Sequence, residues 1–99
     1  MKKIPLDGSN WTEKEDFYVS FLSSVGAPDW HGHNLDALWD SIVGGQINKV
    51  KPPFTVAIRG KEAWSTQLTE FMEQVETIFL EAKAEGVNVE LKFSSNASF

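Results

Sequence analysis

The fold of this chain turns on Trp30-His31-Gly32-His33-Asn34-Leu35-Asp36-Ala37-Leu38-Trp39-Asp40. A loop holding an aromatic ring and two imidazoles runs into a helix for which Asn34 is a suitable cap. Its short side-chain oxygen can accept from the free amides of the first turn. Residues four apart share a helix face, so Asp36 and Asp40 stand together one turn apart. Leu35, Leu38, Trp39 and Ile42 fall on another face and are available for burial. The Gly44-Gly45 pair ends the helix. The expectation is a short amphipathic helix with an acidic edge turned outward and flat rings beside it, suited to a positively charged pocket on a partner.

Upstream, Lys3 to Leu6 reads as a short strand ending at the Asp7-Gly8 turn signal. Pro5 lacks the amide that a central strand donates, so the strand is either short or turns Pro5 away from a ladder. Thr12 and Glu15 then have the spacing of a capping box. Phe17, Tyr18, Phe21, Leu22 and Val25 recur at helical spacing, and Gly26 followed by Pro28 stops that helix.

Downstream, Gln46 to Pro53 is a loop closed by Pro52-Pro53, and Phe54-Thr55-Val56-Ala57-Ile58 reads as a buried strand. Gly60 to Ser65 leaves room for one helical turn. The longest helix is expected from about Thr66 to Glu85, with an apolar stripe of Leu68, Phe71, Met72, Val75, Ile78, Phe79 and Ala82. Lys83 complements its C-terminal end and Gly86 terminates it. Val87, Val89, Leu91 and Phe93 alternate with Asn88, Glu90 and Lys92, the pattern of a strand with one buried face. Long helical crossovers between strands favour parallel pairing. The expected fold is therefore α/β: a small single domain over residues 1–93, a three-stranded parallel sheet with helices packed mainly on one face, and a loose C-terminal tail over residues 94–99.

Bulk properties narrow the function classes. The chain has 99 residues, which suits one domain with one core. Its hydrophobic content of 41% is too high for a disordered chain. The net charge of −5 argues against nucleic-acid binding, which needs a basic face, and favours a basic protein partner. There is no cysteine, so neither a disulfide framework nor a thiolate zinc site can form. The first residues carry two lysines and no long apolar run, which predicts no secretory signal, no membrane span and a cytoplasmic location. Asn96-Ala97-Ser98 matches a glycosylation sequon, which carries no weight without such a signal.

Catalytic readings fare poorly. Asp36 and Asp40 could be a carboxylate pair for glycoside hydrolysis, but two acids on one exposed helix edge do not make a cleft. His31-Gly32-His33, with Asp36, offers donors that could share a metal ion. The chain has only two histidines, which excludes a three-histidine site. Standing just before a helix N-terminus also disfavours a protonated imidazole at His33. Glu81 and Glu85 form a second acidic pair off the apolar stripe, the ordinary pattern of a solvated face. There is no glycine-rich phosphate loop and no G-x-S-x-G elbow, so no cofactor and no enzymatic chemistry are expected.

Two segments are more specific than these patterns. Gly32-His33-Asn34-Leu35-Asp36-Ala37-Leu38-Trp39-Asp40 resembles the signature of the barstar family, and Glu81-Ala82-Lys83-Ala84-Glu85-Gly86 resembles the family's sequence at the end of its last helix. The similarity spans nearly the whole chain. It implies a small α/β domain with a three-stranded parallel sheet that inhibits ribonucleases of the barnase type inside the cell. In that family the second helix and its preceding loop plug the enzyme's active site, and carboxylates stand where the RNA phosphate would bind.

Carried over by residue, the resemblance makes Asp40 the central phosphate mimic and Asp36 its partner one turn earlier. It puts Trp30 against the catalytic histidine of the nuclease, Gly44 at the helix end, and Glu81 as a further carboxylate at the contact. His31, His33, Asn34 and Trp39 complete the expected partner-binding surface. His31 and His33 stand where the founding member has a tyrosine and an acid, and Gly45 where it has a bulky aromatic. The expected protein is a monomer when free and forms a 1:1 complex with a basic small ribonuclease or nuclease toxin, as an immunity protein does. The alternative is a non-inhibitory interaction module of the same fold that binds another basic protein.

Overall fold

The computed structural model describes residues 2–28, 32–44 and 48–94. Strand β1 (Lys2–Asp7) leads into helix α1 (Lys14–Val25) and helix α2 (Leu35–Gly44). Strand β2 (Phe54–Arg59), a 3-10 turn (Lys61–Ala63), helix α3 (Thr66–Ala84) and strand β3 (Val89–Ser94) follow. The sheet order is β1-β2-β3 and both pairings are parallel, as the helical crossovers require.

Register explains the one-sided core. Ile4 pairs with Val56 and Val56 with Leu91, while Leu6 pairs with Ile58 and Ile58 with Phe93. Side chains alternate along a strand, so these residues share the face that the helices cover. Ile4, Leu6, Val56, Ile58 and Val89 are buried. The opposite face carries exposed Lys3, Pro5 and Lys92, with an Arg59–Asp7 ion pair at 3.2 Å between adjacent strands. Pro5 is tolerated because β1 is an edge strand, where a missing amide removes no bond from the interior of the ladder.

Under the helices lies an aromatic core. Phe17 and Phe21 stack with centroids 5.6 Å apart, and Phe79 of α3 meets Phe21 edge-on at 6.0 Å. Trp11 stacks on Trp64 at 5.8 Å, and the Trp64 indole donates to the Gly8 carbonyl at 2.8 Å. Gly60, before the 3-10 turn, has φ +91, and a Cβ there would lie 2.5 Å from the Ser9 backbone, so only glycine fits.

Several boundaries differ from the sequence expectation, among them the end of β2, which runs to Arg59. The capping box sits one residue later than Thr12 and Glu15: Asp16 Oδ2 accepts from the amides of Thr12 at 2.8 Å and Glu13 at 3.1 Å. The shorter aspartate reaches back to these free donors, and Glu15 is left to bond elsewhere. At the end of α3, Gly86 takes φ +92 and the Val87 amide donates to the Ala82 carbonyl at 3.0 Å. Val87 thus closes the helix, and β3 begins at Val89. β1 and β3 each run to residues outside their expected bounds, β1 over Lys2–Asp7 and β3 as far as Ser94. The tail residues 95–99 lie outside the described residues.

Candidate functional site

Helix α2 is built as its sequence suggests. Asn34 Oδ1 accepts from the Ala37 amide at 2.8 Å and the Asn34 carbonyl accepts from the Leu38 amide at 2.9 Å, which is the capping geometry. Leu38 and Ile42 are fully buried, and Leu35 and Trp39 are half-buried against the same core. α2 packs on α3. Asp36, Asp40 and Gly44 are left exposed. Four residues advance a helix by about 6 Å and 400°, so Asp36 and Asp40 form one short acidic edge.

The described carboxylates divide into two groups. Asp7 bonds Ser9 and Arg59, Glu15 bonds His33, Asp16 caps α1, and Glu90 bonds Lys83 and Lys92. Asp36, Asp40 and Glu81 make no side-chain hydrogen bond or ion pair among the described residues, and neither do Glu62, Glu70, Glu73, Glu76 and Glu85; what sets Asp36 and Asp40 apart is their shared edge on the capped helix. The first group is consumed in holding the fold, and for Asp7, Asp16 and Glu90 it shows in acidity. The hydroxyl and amide of Ser9, helped by Arg59, hold the Asp7 carboxyl below its usual range. The amides of Thr12 and Glu13 do the same for Asp16, and Lys83 followed by Lys92 does so for Glu90.

The structure brings together only part of the expected surface. Asp36 and Asp40 share one edge, and His33 and Asn34 lie just ahead of it. Glu81 stands exposed on α3, the helix that supports α2, with no bond linking it to the α2 carboxylates. Gly44 ends α2, and among the described residues nothing lies within 4 Å of where a Cβ would be. Packing among the described residues therefore does not impose its smallness. Trp30, His31 and Gly45 lie outside the described residues.

His33 has partners that its sequence position does not reveal. Its Nδ1 lies 2.7 Å from Glu15 Oε2, and its ring stacks on Tyr18 at 5.7 Å with planes 19° apart. These contacts tie the loop before α2 to α1, 18 residues upstream. Burial, and secondarily the Glu15 charge, push the Tyr18 hydroxyl up to about 12. A second tie lies behind α2. The Asn48 amide donates to the carbonyl (3.2 Å) and hydroxyl of buried Ser41, anchoring the returning loop to the back of the helix.

Among the described residues no cluster of three His, Asp or Glu side chains could hold a metal ion. Within the same residues, no helix is long and apolar enough to cross a membrane.

Residues 1–95 match the family model described as Barstar (barnase inhibitor). The chain belongs to the barstar family. A curated relative, YrdF of Bacillus subtilis (strain 168), named as a candidate ribonuclease inhibitor, is 32% identical over 85 residues, which cover 86% of this chain and 89% of that protein. The match takes in the whole of this barstar-family domain, from β1 through β3. The capped acidic helix is therefore part of the region shared with the family, whereas the Glu15–His33–Tyr18 contact is read from this chain's own geometry.

Proposed function

We propose that this barstar-family chain inhibits a small basic ribonuclease, of the barnase type or a related bacterial kind, by seating the exposed edge of α2 in the cationic site that holds RNA phosphate. The observation that carries the proposal is the free state of Asp36 and Asp40. Both are exposed, one turn apart, on a helix fixed by its cap and buried face, and neither is paired among the described residues. A site that binds phosphate must present cations and donors, and fixed carboxylates meet it with little ordering cost. Burial against several cations gives charge-assisted hydrogen bonds, the stronger kind.

Asp40 takes the central role and Asp36 the adjoining one, with Glu81 extending the acidic surface from α3. Trp39 and His33, together with the Trp30 and His31 that the family resemblance implies, supply aromatic and imidazole contacts to the partner, in keeping with the enrichment of aromatic residues at interface cores. Asn34 serves the site by capping the helix. Gly44 leaves the end of α2 low, so that a partner backbone can approach closely. The chain acts by binding, without a catalytic step or cofactor. It is a monomer when free and forms a 1:1 complex in the cytoplasm, as an immunity protein against a nuclease toxin.

The test is to add the purified chain to a panel of small basic bacterial ribonucleases and follow RNA cleavage. Stoichiometric loss of cleavage for at least one of them supports inhibition. Full activity across the panel, with a non-nuclease basic protein captured from the source cell, would replace inhibition by the role of an interaction module.

A further inference from the structure

The contact between His33 and Glu15 constrains more than position. An ionised carboxylate only accepts hydrogen bonds, so at 2.7 Å the hydrogen of the contact belongs to His33 Nδ1. When the imidazole is neutral its other nitrogen, Nε2, then carries only a lone pair. No hydrogen bond to Nε2 is formed among the described residues, and the side chain is 36% exposed. His33 lies next to the cap of α2, and a cleft of about 320 Å³ joins its ring to Asp36.

We infer that Glu15 and His33 form a dyad in which Glu15 holds the imidazole hydrogen on Nδ1 and so presents Nε2 as a neutral acceptor to an arginine or lysine N–H of the partner ribonuclease. The inference rests on the inhibitory reading of α2. Tyr18 keeps the ring plane fixed by stacking, and Glu15 is a positioning residue on α1 that acts through His33. A histidine without such a partner populates both tautomers, and half of its useful geometry is lost.

The dyad also sets a pH sense. Protonation turns Nε2 into a donor and places a positive charge against a cationic partner, so the contact works only while His33 is neutral. Among the described residues the other ionisable groups lining the cleft beside the ring are Lys14 and Tyr18 from α1 and Asp36 from α2, and α3 contributes uncharged Phe71 and Gln74.

Two measurements on the full chain test the dyad. Nitrogen-15 NMR of the free protein at about pH 8, above the range in which histidine ordinarily titrates, reads the tautomer directly. The wild type should show a hydrogen on Nδ1 of His33, and Glu15→Ala should shift it toward a mixture. Binding to a barnase-type ribonuclease is then measured at about pH 8 and about pH 5.5. His33→Phe keeps the stacking ring and removes both nitrogens.

At the higher pH, Glu15→Ala and His33→Phe should each weaken binding about 3- to 10-fold, the worth of one hydrogen bond. The double variant should be no worse than the weaker single. At the lower pH the His33→Phe penalty, taken as a ratio to wild type so that the partner's own titration cancels, should vanish or reverse. A hydrogen on Nε2 in the free wild type, additive losses in the double variant, or the same His33→Phe ratio at both pH values overturns the dyad. A wild type that binds no ribonuclease overturns the inhibitory reading instead.

Discussion

Replacing Asp40 by alanine should move binding and folding in opposite directions. Asp40 is the sixth of the ten residues of α2, exposed, with no bond to any described residue. Its removal therefore breaks no contact described within the chain. Alanine is a better helix former than aspartate by about 0.5 kcal/mol in a helix interior. For a domain of this size that corresponds to a rise in Tm of about 2–4 °C. On the proposed inhibitory reading the same carboxylate would face several cations in the complex, and its loss would leave them buried and unpaired. Truncating one partner of such a pair costs on the order of 2–5 kcal/mol, a Kd roughly 30- to 4,000-fold weaker. The loss should fall mainly on the dissociation rate. Calorimetry with the inhibited ribonuclease, beside thermal melts of the free chain, reads both quantities. Asp36→Ala should lose less affinity than Asp40→Ala, and Glu70→Ala, exposed on α3, almost none. Unchanged affinity for Asp40→Ala would refute the assignment of the binding edge. A weakened complex accompanied by a fall in Tm of several degrees would mean that the helix, and not the charge, had been lost.

Other outcomes follow from the same geometry. Association with the ribonuclease should slow steeply as salt rises while dissociation changes little, because screening at physiological ionic strength limits the reach of charge to about 8 Å; stopped-flow mixing reads this. Stability should fall as the pH drops below about 4. Asp7, Asp16 and Glu90 have folded acidities shifted below their ordinary values, so their contribution is present above those values and is lost as they protonate in the folded state. Tyr18 shifts the other way, to about 12, so its contribution holds below about pH 10 and is lost as the pH rises toward 12; equilibrium unfolding across both ranges checks each sign. Leu38→Ala, at a fully buried position on α2, should cost about 2–5 kcal/mol in urea unfolding, and a loss below 1 kcal/mol would mean that α2 is not docked on the core. Light scattering of the free chain at micromolar concentration and moderate salt should report a single protomer, and a stable dimer would contradict the self-repelling acidic face.

The sequence went far toward the fold because local rules and burial pointed the same way. The apolar repeats of α1 and α3, the alternation of Val89, Leu91 and Phe93, and the Asn34 cap all act over a few residues, where period and turn chemistry decide. The capping box was displaced by one position because Thr12 and Glu15 satisfy the spacing rule while Asp16 has the better reach, a choice that depends on backbone geometry. Pro5 left two arrangements open until the strand order placed β1 at the edge.

At the site, the sequence by itself determined the acidic edge. Asp36 and Asp40 are four residues apart, and helical periodicity alone puts them on one side with Leu38 and Ile42 on another. It did not determine which of the fourteen acidic residues are free to bind a partner. That depends on contacts between elements distant in the chain: Asp7 with Arg59, Lys83 with Glu90, and Glu15 with His33. The same holds for His33, which from its neighbours is a loop histidine before a helix N-terminus and in the folded chain is a ring stacked on Tyr18 with its Nδ1 held by a carboxylate. Periodicity fixes directions within an element, whereas the partner of a charged side chain is fixed only when packing brings two elements within hydrogen-bond distance.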